Sequence, residues 1–320
     1  WPTRAWPEAA PEARGLDRAA LESLDRDFAS GKHGYVDGLL VVRGGAVVFE
    51  RSYRHDYDRL FVGKGAPGLY NYYDPQWHPY WKRGDLHTMQ SISKSVASTL
   101  VAIALRRGEL PGVDVKVMPY FSAFKTSPDP RREAMTLRHV LTMTTGIRWD
   151  EPSVTYTDPA NNCAQMEAKD DWIQYVLDQP MAEEPGRTFV YNSGATQLLA
   201  ALIKKVSGKE ADDYAKEHLF GPLGIEYAWK RTPLGQPDAE GGLYLRPRDL
   251  AKLGLLFLKD GMWEGRRILP EGWVKDATAW HTGTGGRRGY GYKWWVLSRK
   301  GPGTYEAYAA IGYGGQRLIV

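Results

Sequence analysis

Ser91-Ile92-Ser93-Lys94 sets a hydroxyl and an amine three residues apart at the head of a strongly apolar run. Residues i and i+3 share one face of a helix, so Lys94 falls beside the Ser91 hydroxyl, one turn in. The N-terminus of that helix favours negative charge developing at Ser91. In a mostly apolar setting the ammonium form of a lysine is disfavoured, so Lys94 is expected to serve as a neutral base for an activated serine nucleophile. The tetrapeptide is short, and a second copy stands at Ser122-Ala-Phe-Lys125. That copy runs into Thr-Ser-Pro-Asp-Pro rather than an apolar helix, so its lysine is expected to be solvated and protonated. Ser93 and Ser95 are nearby hydroxyls, but neither has Lys94 three residues on.

A second stretch, Phe189-Val-Tyr191-Asn192-Ser193-Gly194, follows the turn Glu184-Pro-Gly186 and precedes a helix. A phenol next to a lysine can pass a proton between nucleophile and leaving group, which makes Tyr191 a candidate acid–base residue. Asn192 and Ser193 either hydrogen-bond a substrate carbonyl or cap the helix, and both readings stay open. A third stretch, Gly312-Tyr313-Gly314-Gly315-Gln316, lies between two strand-like runs. Glycines there admit a ligand or another backbone, and a backbone N–H could complete an oxyanion hole; a bulge or hairpin is the plainer reading. Gly312, Tyr313, Gly314 and Tyr156 join Asn192 and Ser193 as candidate substrate contacts. There is no His-Glu-x-x-His, no Gly-x-x-x-x-Gly-Lys and no Gly-x-Ser-x-Gly. The seven histidines show no metal spacing, and His139 reads as a hydrogen-bonded core residue. No cofactor or metal is expected.

The elements that must hold these residues alternate in texture. Residues 1–15 carry three prolines and read as an extended arm, followed by a helix over Leu16 to Phe28. Residues 38–43 and 46–53 are β-rich and joined by Gly44-Gly45, a tight hairpin. Residues 54–88 look like a surface excursion. Ser91 to Arg107 is apolar around most of its circumference, as a buried helix is. Met135 to Thr145, Asp171 to Leu177, Ala195 to Val206, Ala211 to Leu219 and Asp249 to Lys259 are further helices. Strand texture returns at Gly291 to Leu297, Tyr305 to Ile311 and Gln316 to Val320. β-rich ends around a helical middle predict one antiparallel sheet built from both chain ends, an α/β protein of the α+β type. A parallel doubly wound sheet is the alternative, without the regular βαβ alternation it needs.

The 320 residues carry 42 Lys plus Arg against 38 Asp plus Glu, a net charge of +4, with the basic residues scattered. That excludes a nucleic-acid stripe. No apolar run approaches the length of a transmembrane helix. One cysteine, Cys163, excludes an intrachain disulfide and a cysteine-based metal site. The start at Trp1 rather than Met implies a removed or trimmed segment, which suits a periplasmic or secreted protein and leaves a cytoplasmic one open.

In their order, these motifs resemble the serine β-lactamase and penicillin-binding protein superfamily, above all its class C-like branch of esterases, D-amidases, DD-peptidases and 6-aminohexanoate-dimer hydrolases. Met89 to Ser95, Thr136 to Gly146, Glu184-Pro-Gly186 with Tyr191-Asn-Ser193, Leu219 to Ile225, Gly241 to Leu250 and Gly312 to Gln316 carry the resemblance. It implies a β-lactamase/transpeptidase-like fold: a central antiparallel sheet flanked by helices, plus a mostly helical domain. The expected division is an N-terminal arm and helix over 1–37 and a β-lactamase-like domain over 38–320. Within it, the α/β part takes about 16–105 and 245–320 and the helical part about 106–244. The family pattern continues past Val320 with a strand and a helix. The resemblance implies Ser91 as nucleophile, Lys94 as its base partner, Tyr191 as second proton shuttle, and the backbone N–H groups of Ser91 and Gly315 as oxyanion hole. Two positions depart from class C β-lactamases: Ser193 stands where they carry Asn, and Gly312-Tyr313-Gly314 stands where they carry Lys-Thr-Gly. The missing lysine removes a cation for a lactam carboxylate. The expected activity is therefore hydrolysis of a small ester, amide or peptide through an acyl-enzyme. A β-lactamase, a DD-peptidase and a catalytically silent binder of peptidoglycan peptides are the alternatives.

Overall fold

The computed structural model describes residues 1–63, 78–297 and 306–320. The arm lies along the rest of the chain: Glu8 bridges to Val47, the Trp6 indole donates to the carbonyl of Arg248 at 2.9 Å, and the Trp263 indole donates to Thr3 Oγ1 at 2.9 Å. Helix α1 spans Arg18–Ala29, starting two residues later than the sequence pattern because Asp17 caps it, accepting from the N–H groups of Ala19 and Ala20. Strands β1 (Gly38–Arg43) and β2 (Ala46–Ser52) pair antiparallel. Gly44 and Gly45 turn between them with φ of 59° and 78°, the left-handed pair that a two-residue hairpin needs.

Strand β3 (His87–Thr88) leads directly into helix α2, Ile92–Arg106, where every residue from Ile92 to Ala104 is buried. Helix α3 is shorter than the Met135 to Thr145 run predicts and covers only Leu137–Leu141. Thr136 is held outside it by a bridge to Lys116, and Met143 takes a left-handed φ of 60°, which ends the helix and turns the chain under the Tyr191 stretch. Helices α4 (Asn162–Glu167), α5 (Trp172–Asp178) and α6 (Ser193–Ser207) follow, and α6 packs on both α2 and α5. At Gly194 a Cβ would collide with Val176 and lie 2.7 Å from the Trp149 ring, so only glycine lets α6 start this close. The Ala211 to Leu219 helix begins as predicted but widens into a π turn over 216–220.

Strands β4 (Tyr227–Trp229) and β5 (Leu243–Leu245) join β3 in a three-stranded antiparallel sheet with β5 in the middle. Helix α7 (Pro247–Leu258) comes next. A five-stranded antiparallel sheet then takes β6 (Thr282–Gly283), β7 (Gly289–Tyr290), β8 (Trp295–Val296), β9 (Tyr308–Ile311) and β10 (Arg317–Ile319) in order. The single strand expected over Gly291 to Leu297 is interrupted, because Lys293 has a left-handed φ of 65° and its N–H turns to the carbonyl of Leu141. Tyr305, the expected start of the next strand, and part of the 54–88 excursion lie outside the described residues. The sheets are antiparallel as expected, but the two chain ends do not build one sheet: among the described residues β1–β2 forms a ladder of its own. Among them also, no helix is long and apolar enough to cross a membrane.

Candidate active site

Ser91 is the last residue before α2, and its side chain makes no capping bond to the helix. The hydroxyl is thus left for Lys94, whose Nζ donates to Ser91 Oγ at 2.9 Å. Lys94 is 1% exposed. Its Nζ also donates to the carbonyl of Glu240 at 2.7 Å and to Glu240 Oε2 at 3.0 Å. Three acceptors match the three protons of an ammonium. The Tyr191 ring centroid lies 5.3 Å from Nζ, and the Tyr191 hydroxyl is hydrogen-bonded to Ser91. Tyr191 is set just ahead of α6 by Asn192, whose Oδ1 caps that helix by accepting from Ala195 N–H at 2.8 Å.

The neutral Lys94 expected from its sequence neighbours is corrected here. Burial does favour the amine, but Tyr191, Glu240 and Glu151 outweigh burial and hold Lys94 well above the ordinary lysine range. The decisive carboxylate comes from a residue 146 positions away, which local apolarity could not reveal. Burial pushes the Tyr191 phenol up; Lys94 and the Ser91 hydrogen bond pull it back, and Glu151 and Glu240 oppose them.

The other candidates sort by geometry. Ser193 is fully buried and spent on Glu151: its Oγ donates to Oε1 at 2.7 Å and its N–H to Oε2 at 2.9 Å. Trp149 Nε1 and the Tyr156 hydroxyl each donate to the same carboxylate at 2.8 Å. Asn192 is likewise buried as a cap. The structural reading accounts for Ser193 and for Asn192 Oδ1, while the buried Asn192 Nδ2 meets no acceptor among the described residues, so the substrate reading stays open for that group. Tyr156 does reach the glycine-rich turn, edge to face with Tyr313 at 5.2 Å. Gly312 is fixed by close approach, since a Cβ there would collide with the carbonyl of Met89, two residues before Ser91. Gly314 and Gly315 have φ of 81° and 97°. Of the two expected oxyanion donors, Ser91 N–H bonds no backbone oxygen among the described residues, while Gly315 N–H is turned to the carbonyl of Gly312 at 3.3 Å. Ser93 and Ser95 are structural: Ser93 Oγ donates to the carbonyl of Gln90 at 2.7 Å and Ser95 Oγ to that of Lys293 at 2.6 Å. Ser122 and Lys125 are both exposed.

Sequence reasoning missed Glu240, Glu151 and Glu167. Glu240 directly precedes the Gly241-Gly242-Leu243 stretch, so it stood one place outside a recognised motif. Glu151 and Glu167 belong to no spacing pattern. Burial and the neighbouring Glu240 push the Glu167 carboxyl well up. Glu240 itself is held down: burial opposes this, but Lys94 and a hydrogen bond from Glu167 prevail. Cys163 Sγ lies 3.7 Å from Glu240 Oε1, and the ligand atoms of Cys163, Glu167 and Glu240 all fall within 4.8 Å of one another. Distance alone would admit a cation there, but the Lys94 ammonium already supplies the positive charge at Glu240.

A family model described as Beta-lactamase matches residues 33–320. The chain belongs to the beta-lactamase family. Within this family it is 25% identical over 234 residues to the 6-aminohexanoate-dimer hydrolase of Paenarthrobacter ureafaciens, covering 69% of this chain and 57% of that protein. Among solved structures, it is similar to the putative 6-aminohexanoate-dimer hydrolase from Bacillus anthracis, with a TM-score of 0.72, 20% identity and 99% and 78% of the two chains covered. The D-stereospecific amidohydrolase from Streptomyces sp. gives a TM-score of 0.59 at 17% identity, covering 95% and 93%. The two structural likenesses establish the beta-lactamase-like fold. The chain spans about half the length of the curated relatives it matches.

Proposed function

We propose that this beta-lactamase-family hydrolase works through an acyl-enzyme on an ester or amide, with Ser91 as nucleophile and Lys94 and Tyr191 as its proton partners. The observation that carries the reading is the buried Lys94 ammonium, 2.9 Å from a serine hydroxyl that caps nothing and that also meets a phenol. In the reactive form the Lys94–Tyr191 pair has already given up one proton to solvent; Ser91 Oγ then attacks the carbonyl carbon, the C=O π pair moves onto the oxygen, and the serine proton refills the pair. The tetrahedral oxyanion is met by Ser91 N–H and, once its turn bond to Gly312 opens, by Gly315 N–H. The same pair returns the proton to the leaving alcohol or amine as its bond breaks. Water then repeats the sequence on the acyl-enzyme.

The turn at 312–314, Gly-Tyr-Gly, which offers an aromatic ring and carries no cation of its own, supports this substrate class. Tyr313 and Tyr156 suit an uncharged acyl or alcohol group. A fluorophosphonate probe tests the core of the proposal. Intact mass should show one adduct, peptide mapping should place it on Ser91, and Ser91→Ala should abolish both the adduct and turnover of p-nitrophenyl esters. An adduct on Ser122 or Ser93 would overturn the assignment.

A further inference from the structure

Behind Lys94 lies a chain of carboxyl groups that the reaction above does not use. Glu240 Oε2 faces Lys94 Nζ at 3.0 Å, and the far side of the same carboxylate faces helix α4, from which Cys163 and Glu167 project. Both Glu167 carboxyl oxygens are buried and meet no N–H or O–H donor among the described residues; their neighbour is Glu240. Two carboxyl groups with oxygens within 4.8 Å of each other in a dry site resist double ionisation, which favours a proton held between them. Charge assigns that proton to Glu167, because Glu240 has the ammonium on its other side.

We propose that Glu240 and Glu167 form a hydrogen-bonded carboxylate–carboxylic acid pair that holds Lys94 as an ammonium beside Ser91 and thereby sets the pH at which the serine is activated. Glu240 is a positioning residue here: it touches Lys94, not the reacting carbonyl. The inference rests on the reading of Ser91 and Lys94 as the reacting pair only where it speaks of activation. The other groups facing this cluster are Tyr191 ahead of α6, Glu151 and Tyr156 from the preceding loop, Cys163 on α4, Asp238 and Lys230 beside β4, and Lys293 between β7 and β8. Among them Glu240 is the one that both contacts Lys94 directly and raises Tyr191 as well. Loss of its charge therefore makes either candidate base available at lower pH, whichever of the two takes the serine proton.

The test is Glu240→Gln, which keeps the shape and an oxygen acceptor for Lys94 but carries no charge. Its acid limb in kcat/KM against pH should move down by about one to three units, the size expected on losing a contacting opposite charge. KM should change little. Glu167→Gln, whose amide N–H can still donate to Glu240, should leave the limb near that of the wild type. Glu167→Leu, which cannot donate, should move it in the direction of Glu240→Gln by a smaller amount. A second readout needs no turnover: lysine labelled with 13C at Cε, with the Lys94 signal assigned by its loss in Lys94→Met. In the wild type Lys94 should remain an ammonium past its ordinary pKa of about 10.4, and in Glu240→Gln it should titrate earlier. Identical Lys94 titrations in the two proteins, or a neutral Lys94 at pH 7 in the wild type, overturn the proposal. Shifted titrations in a protein that hydrolyses nothing and takes no adduct would overturn the hydrolase reading and leave this inference standing.

Discussion

The Ser91 hydroxyl is left to Lys94 and Tyr191 because the first N–H groups of α2, those of Ile92 and Ser93, donate to the carbonyls of Met89 and Gln90 instead, and two lysines near it are buried to opposite effect. Lys94 is ringed by acceptors. Lys293 has no such ring among the described residues: it is 2% exposed, with Nζ donating to the thioether of Met143. Lys94→Ala should lower turnover by about 10²- to 10⁴-fold, the usual worth of acid–base assistance. Lys94→Arg should be nearly as damaging, because a guanidinium cannot release its proton; near-normal steady-state rates in that variant would reduce Lys94 to a bare positive charge. Burial, then the nearby Lys94 charge, pushes Lys293 well below the ordinary range. Burial disfavours its ammonium form in the folded chain but not in the unfolded one, so the unfolded state binds more protons and stability rises with pH between the lowered folded value and the ordinary one. Lys293→Met should therefore raise Tm at pH 7, at ~1.4 kcal/mol for each unit of depression removed, and the gain should shrink as pH approaches the ordinary lysine value of about 10.4. Thermal melts across that range check it; an equal gain at every pH would mean that packing, not titration, is responsible.

Helix α6 and the glycine at its start decide whether the Tyr191 stretch can sit against Lys94. Gly194→Ala places a methyl into Val176 and the Trp149 ring, and Trp149 is one of four donors to Glu151. Overpacking of this kind costs about 1–3 kcal/mol. Tm should fall, and kcat should fall with it while Tyr191 is displaced; urea unfolding together with ester kinetics would read both, and a variant as stable as the wild type would contradict the close approach. At this scale much was legible. The run Ser91 to Arg107 announced a buried helix, and the tyrosine before a helix start announced Tyr191. Elements failed where distant partners overrode local pattern. Met135 to Thr145 has the apolar spacing of a longer helix, yet a bridge from Lys116 and the left-handed Met143 trim it to Leu137–Leu141. Glu240 and Glu151 were invisible because an isolated acid carries no periodicity, and only folding brings it to a lysine or a serine.

Across the whole molecule the proposed site draws on residues 91–94, 149–167, 191–194, 240 and 312–316, with Gly312 of the glycine-rich turn pressed against the Met89 carbonyl. That packing forbids the simplest conversion to a lactamase: Gly312→Lys would drive a side chain into the Met89 carbonyl and should not fold. The wild type should cleave short-chain esters more efficiently than nitrocefin. A charge-assisted hydrogen bond to the lactam carboxylate is worth about 1.5–3 kcal/mol, or about 10- to 150-fold in rate. Comparable kcat/KM on nitrocefin and on the best ester would show that another cation, such as the exposed Arg287 or Arg288, reaches the carboxylate.

The extended arm reaches furthest in time. Trp6 and Thr3 bond partners 242 and 260 residues downstream, so during synthesis this segment waits for Arg248 and Trp263 to emerge before it can dock. Contacts of such separation carry a large loop-closure cost and form late. The arm thus acts as a latch on an already folded body. Removing it should therefore speed unfolding more than it slows folding.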